Sequence, residues 1–147
     1  MRPTLVVILC VLATACGGGD VSAPTSPRTV EITINEFSFS PSTLTLNAGE
    51  TVTLKVHNVG KLEHEFMAGR FATPSKGYAE DWLTKAAPAL APHTHAGEMH
   101  MGEGLRVSPD WYGTLKLVVP QEKGTYEFGC FVAGHYEAGM KGTLIVR

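Results

Sequence analysis

Near the C-terminus, between two runs of alternating polarity, lies Cys130-Phe131-Val132-Ala133-Gly134-His135-Tyr136-Glu137-Ala138-Gly139-Met140. Cysteine, histidine and methionine recur there with four residues between each and the next. A further histidine, His64, stands upstream in Asn58-Val59-Gly60-Lys61-Leu62-Glu63-His64-Glu65-Phe66. A thiolate, two imidazoles and a thioether make the donor set of a mononuclear blue-copper centre: the thiolate suits Cu(I), the imidazoles suit both oxidation states, and the thioether is a weak axial donor that helps to set the potential. Singly, each residue has a plainer role, a buried cysteine as a small hydrophobe and a methionine as a gap-filler. Their order, their spacing and their place between strands make the metal reading the stronger one.

A second cluster, His93-Thr94-His95-Ala96-Gly97-Glu98-Met99-His100-Met101, holds three of the chain's six histidines and two of its five methionines. His93, His95, Met99, His100 and Met101 suit both copper oxidation states on a loop that tolerates either geometry, which makes them a candidate auxiliary site for a second copper. A solvated, His-rich loop tip explains the same residues, and the sequence leaves the two open. His57, at the end of a strand, is expected to be structural.

The elements that must position these residues have period two. Val30-Glu31-Ile32-Thr33-Ile34, Leu44-Thr45-Leu46, Thr51 to Val56, Leu115 to Val119, Thr125 to Phe128 and Gly142 to Val146 alternate, with Pro, Gly and Asn in the breaks. Short strands at this spacing predict an all-β chain, an antiparallel β-sandwich with Greek-key connections. Residues of about 69–110 interrupt the strands and are expected to form one long inserted loop carrying a short helix, because Tyr78 to Ala87 has helical composition and Trp82 can face the core. The chain has 147 residues, 44% of them hydrophobic, which fits one globular domain and excludes a disordered chain. A net charge of −2 excludes a basic surface for tracking phosphates, so nucleic acid is not an expected partner.

From its N-terminus the protein is expected to be exported. Arg2 precedes an apolar run from Leu5 to Leu12, too short for a membrane span of roughly 20 residues. Ala13-Thr14-Ala15-Cys16 followed by Gly17-Gly18-Gly19 resembles a bacterial lipoprotein processing site. That resemblance implies a signal peptide over 1–15 and lipidation of Cys16, with a membrane anchor through that lipid. Ordinary cleavage after Ala15 would instead leave Cys16 as a free thiol, a liability outside the cytoplasm. Residues 16–28 read as a flexible tether, and Cys130 is then the one cysteine of the domain, unable to make an internal disulfide.

Residues 29–147 resemble a cupredoxin of the plastocyanin/azurin type, most closely in Asn58 to Phe66 and in Gly124 to Gly142. The Gly134 to Met140 run is similar to exported bacterial cupredoxins linked to copper tolerance. The resemblance implies a cupredoxin-like sandwich with one type 1 copper, with His64, Cys130 and His135 as equatorial ligands and Met140 axial. It also implies that electrons leave through His135, the solvent-edge ligand, inside an apolar patch. One departure stands out: the family's asparagine after the first histidine, which ties the ligand loops together, is here Glu65. Multicopper oxidases and copper nitrite reductases flank the cysteine with further histidine ligands, whereas Cys130 lies between Gly129 and Phe131. With a single cysteine in this loop a dinuclear centre is excluded too, so the chain is not expected to be an enzyme.

Two functions of different class follow. One is an electron carrier between redox proteins such as a cytochrome or an oxidase. The other is a copper-handling protein for tolerance, sequestration or delivery that uses the second cluster as well. Either is expected to be a monomer, periplasmic or otherwise anchored outside the cytoplasmic membrane.

Overall fold

The computed structural model describes residues 27–86, 99–100 and 104–147. Eleven strands and one short helix follow in order: β1 (Arg28–Asn35), β2 (Ser38–Ser40), β3 (Thr43–Leu46), β4 (Thr51–Asn58), β5 (His64–Thr73), β6 (Gly77–Asp81), α1 (Trp82–Ala86), β7 (Met99–His100), β8 (Gly104–Val107), β9 (Tyr112–Val118), β10 (Gly124–Gly129) and β11 (Lys141–Val146). One sheet has the order β2-β1-β4-β9; the other runs β3-β11-β10-β5-β8-β7, with β6 also paired to β5. Among the described residues no helix is long and apolar enough to cross a membrane.

The alternation predicted from the sequence is what makes the sandwich. Val52, Leu54, Val56 and Asn58 of β4 point inward while their neighbours are half-buried or exposed, and Gly113, Leu115 and Leu117 of β9 do the same. A single apolar cluster joins the inner faces, with Ile32, Val56 and Leu115 from one sheet meeting Phe66, Phe128 and Leu144 from the other. Phe128 stands edge-on to Phe39 at 5.2 Å and tilted to Phe66 at 5.4 Å. Cys130 and Met140 belong to this same cluster, so the sulfur-bearing end of the chain is continuous with the core.

Two expectations change. The sandwich is not wholly antiparallel, because β1 pairs with β4 and β3 pairs with β11 in parallel. The chain passes from β2 to β3 in the other sheet and back to β4, and this crossing returns β4 in the direction of β1. The helical composition of Tyr78 to Ala87 yields helix only over Trp82–Ala86. The residues before it extend along the edge of β5, with Ala72 opposite Tyr78 and Gly69 opposite Asp81, a case of tertiary pairing overriding propensity. Asp81 then starts the helix, its carboxylate accepting the Leu83 and Thr84 amides at 2.8 and 3.2 Å. Trp82, as expected, faces the core. The stretch 69–110 therefore contributes strands as well as a loop, and β8 completes the sheet beside the first histidine.

Phe128 is fully buried between two aromatic rings. Phe128→Ala should cost about 3–5 kcal/mol, measured as a lower denaturant midpoint of the metal-free protein at unchanged slope. A cost below about 1 kcal/mol would mean that the two sheets can close over the gap.

Candidate metal centre

Strand ends bring the chemistry-bearing residues to one end of the sandwich. His64 opens β5, Cys130 follows β10 directly and Met140 immediately precedes β11. The segment from Cys130 to Met140 folds back on itself: the Cys130 amide donates to the Met140 carbonyl at 3.1 Å, the Met140 amide to the His135 carbonyl at 3.0 Å, and the His135 amide to the Val132 carbonyl at 2.9 Å. Gly134 and Gly139 take φ of +83° and +94°, a region open to glycine and strained for other residues. Each meets nothing within 4 Å where a Cβ would stand, so backbone conformation rather than space calls for glycine there.

The segment leading to His64 is organised by a buried asparagine. Asn58 donates through Nδ2 to the carbonyls of Leu62 and Val107, both at 2.8 Å, and accepts the Gly60 amide at 2.9 Å. Glu36, from the turn between β1 and β2, receives the Lys61 amide and the Leu62 amide, the latter at 3.0 Å. These amides, and secondarily the field of His64, hold the Glu36 carboxyl below its ordinary value.

Among the described residues, one cluster of histidine, cysteine and carboxylate side chains has metal-holding geometry: the ligand atoms of His64, Cys130 and His135 all lie within 4.8 Å of one another, and all three residues are buried. His64 Nδ1 is 3.1 Å from His135 Nδ1, and Cys130 Sγ is 3.9 Å and 3.4 Å from those two nitrogens. Binding one metal through both Nδ1 atoms would leave each ring's proton on Nε2. His64 Nε2 is 3.8 Å from the Glu36 carboxylate, beyond hydrogen-bond range but close enough for that charge to favour a proton there. Burial, reinforced by His135, lowers the His64 pKa against the pull of Glu36. Burial also pushes the Cys130 thiol up, partly offset by the Glu65 and Val132 amides. An unprotonated imidazole is ready to bind a metal, whereas the thiol must first give up a proton.

The donor set fits a single copper. Sulfur and imidazole nitrogen are its preferred ligands, three of them converge in the buried interior, and the Met140 side chain is fully buried. Phe37 covers the outer side of His135 edge-on at 4.9 Å, and His135 keeps 6% exposure against none for His64. Phe37, Val59 and Leu62 are exposed apolar residues on the loops around this end.

Glu65 answers the departure noted in the sequence. Its carboxylate Oε1 accepts the Phe131 amide at 2.7 Å, and its own amide points at Cys130 Sγ at 3.4 Å. The tie between the two ligand segments is present, made by a carboxylate instead of an amide. Phe131 is held in turn by stacking on Tyr136 at 4.7 Å and by the edge of Tyr78 at 4.9 Å. Both phenols donate to Glu127, at 2.6 Å from Tyr136 and 3.2 Å from Tyr78. Burial and that carboxylate push Tyr136 up to about 12 and Tyr78 upward as well, keeping both as neutral donors.

Of the second cluster, His93, His95 and Met101 lie outside the described residues, and Met99 and His100 are described only as the backbone of β7. The leader, Cys16 and most of the tether also lie outside them. His57 stacks on Tyr112 at 3.9 Å, a structural role. Sequence reasoning missed Asn58, Glu36 and Phe37 as builders of the centre. For Asn58 a signal existed, an inward position on a strand filled by a polar residue just before Gly60. Glu36 and Phe37 reach the centre only through the fold.

A family model described as a cupredoxin-like domain matches residues 5–75. The chain is 33% identical over 126 residues to the copper-resistant cuproprotein CopI of Rubrivivax gelatinosus, covering 85% of this chain and 70% of that one. A protein of the same description from Pseudomonas aeruginosa is 30% identical over 148 residues, with 88% and 82% covered. Auracyanin A, a "blue" copper protein from Chloroflexus aurantiacus, superposes with a TM-score of 0.57 at 23% identity, covering 83% of this chain and 100% of that one; at that identity the likeness is one of fold.

The lowered Glu36 pKa has a consequence for acid stability. A carboxylate depressed below 4.5 by native contacts contributes stability above that value and loses it as pH falls through the native pKa. In the metal-free protein the denaturant midpoint should exceed that of Glu36→Gln above pH 4.5, and the gap should close on acidification. A gap that stays constant with pH would remove the charge from the account.

Proposed function

The chain belongs to the cupredoxin-like family, and on that premise we propose that it is an exported protein that holds one copper in a type 1 site and passes single electrons. The observation that carries this reading is the meeting of one thiol and two imidazole Nδ1 atoms within 4.8 Å in a buried pocket. His64, Cys130, His135 and Met140 would hold the copper. Copper, when bound, supplies one-electron exchange between Cu(I) and Cu(II). The chain fixes the donors: Asn58 and Glu36 set the approach to His64, the closed loop sets Cys130 and His135, and Phe37 lies against the His135 ring. His135, the ligand nearest solvent among the exposed apolar residues, is the electron exit toward a redox protein such as a cytochrome or oxidase. Cys130 sits between Gly129 and Phe131 rather than between histidines, which supports a carrier without enzymatic turnover. We further assign residues 1–15 as a signal peptide, Cys16 as the lipidated anchor and residues 29–147 as a monomeric domain with the insert of about 69–110.

A second reading is copper handling. Two relatives described as copper-resistant cuproproteins favour it, together with the His/Met-rich insert, whose His93, His95, Met99, His100 and Met101 would take a second copper. Replacing His93, His95 and His100 together separates the two. An electron carrier should keep its potential and partner kinetics, whereas a resistance protein should lose copper capacity.

Copper titration followed by visible absorption and paramagnetic resonance should give an intense thiolate-to-copper band that saturates at one equivalent and is lost in Cys130→Ser. Uptake beyond one equivalent without added band intensity would assign the insert a copper of its own. No thiolate band in the unaltered protein would remove the type 1 assignment. Because burial keeps the Cys130 thiol protonated near neutrality, Cu(II) uptake in weak buffer should release about one proton per metal, and apparent affinity should climb with pH. Uptake without proton release would place the metal on other donors.

A further inference from the structure

Glu65 does more than bridge two loops. Its side chain is only 5% exposed, and burying a carboxylate is costly unless partners repay the lost hydration. The Phe131 amide at 2.7 Å is one such partner. A second is Arg106, which stands directly across from Glu65 in the β5–β8 register, with its Nε 3.7 Å from Glu65 Oε2. Arg106 is shared with Glu63, whose carboxylate lies 3.4 Å from Nη1. Glu63 and Glu65 flank His64 in the chain, so strand alternation sends His64 toward the donor cluster and both carboxylates toward Arg106.

A neutral amide side chain would accept the Phe131 amide equally well and would avoid the cost of burying a charge. What the carboxylate adds is therefore its charge, placed one residue from His64 and hydrogen-bonded one residue past Cys130. Charges in a poorly solvated region act over this range with far less screening than in water. A negative charge favours the more positive member of a redox pair, and a cation favours the other. Arg106 is 44% exposed, so solvent damps its influence more than that of Glu65.

Resting on the copper reading above, we propose that Glu65 and Arg106 form a charge pair that positions the Cys130 loop and sets the oxidation balance of the bound copper, the carboxylate favouring Cu(II) and the guanidinium offsetting it. Glu65 is thus a positioning residue that acts on the metal through the Phe131 amide and through its field.

The test uses the full protein and three variants: E65Q, which keeps the acceptor and removes the charge, E65A, which removes both, and R106Q, which removes the surface cation. The potential is read by redox titration of the thiolate-to-copper band. E65Q should raise the ratio of Cu(I) to Cu(II) affinity at least about tenfold, a shift of about 59 mV for a one-electron couple. R106Q should move it by less and in the opposite direction. Opposite signs are what a charge pair gives and a general loosening does not. In the metal-free protein, hydrogen exchange at the Phe131 amide should stay slow in E65Q and quicken in E65A. Shifts of the same sign, or shifts below about twofold in both charge variants, would overturn the tuning role. Unchanged Phe131 protection in E65A would overturn the positioning role. A wild-type protein without the thiolate band would overturn the copper reading and the tuning with it, whereas a normal band with unmoved potentials would overturn the tuning alone.

Discussion

Lone-pair donors do not gather in an apolar interior of their own accord. Two imidazole nitrogens 3.1 Å apart beside a buried sulfur have given up hydration and are not each other's natural partners, so the rest of the molecule has to hold them there. The sandwich does so from three directions. β5 delivers His64 at its first residue, β10 delivers Cys130 just past its last, and β11 pulls Met140 down so that the loop must close. The Phe128 cluster lies directly beneath, which makes core packing and donor geometry one mechanical unit.

Loop closure alone would leave the histidine side free, and polar groups fix it. Asn58 uses both Nδ2 protons and its Oδ1 on three backbone groups of two segments, while Glu36 spans the turn between β1 and β2 and the residues just before His64. Asn58 is a buried polar group with its partners in place. Such groups specify one arrangement because every competing arrangement leaves them unpaired. β8 enters the same network, since the Val107 carbonyl receives Asn58 and Arg106 faces Glu65. The stretch between β6 and β9 thus carries part of the frame of the centre.

These roles explain what the sequence disclosed and what it hid. The Cys130, His135 and Met140 spacing was visible because all three lie on one loop, and the strands of β1, β4 and β9 were visible because one face of each is dry. His64 was visible by its residue type and its place between strands. The parallel pairing of β1 with β4 was hidden, because alternation reports which face is buried and says nothing of strand direction. Tyr78 to Asp81 read as helix because their pairing partner, the far half of β5, has no local signature. Glu36 and Phe37 approach the centre from a distant turn, and such placement follows only from the closed fold. Glu65 was noticed as a departure, yet its part was legible only once the Phe131 amide stood 2.7 Å from its carboxylate.

The construction of the loop also bears on which of the two functions the buried centre serves. A protein that hands on its metal as cargo needs a donor that can leave without dismantling the site. Here Cys130, His135 and Met140 share main-chain hydrogen bonds, so withdrawing one donor strains the other two. His64 is held from behind by the Asn58 and Glu36 networks, and Phe37 lies against the His135 ring. Opening this end would break several buried hydrogen bonds together, at about 1 kcal/mol or more for each polar group left unpaired. Such a frame suits a metal that stays while electrons pass. If the protein also sequesters or delivers copper, that exchangeable metal is better placed on donors outside the frame, and the histidines and methionines of the insert supply donors of the right chemistry.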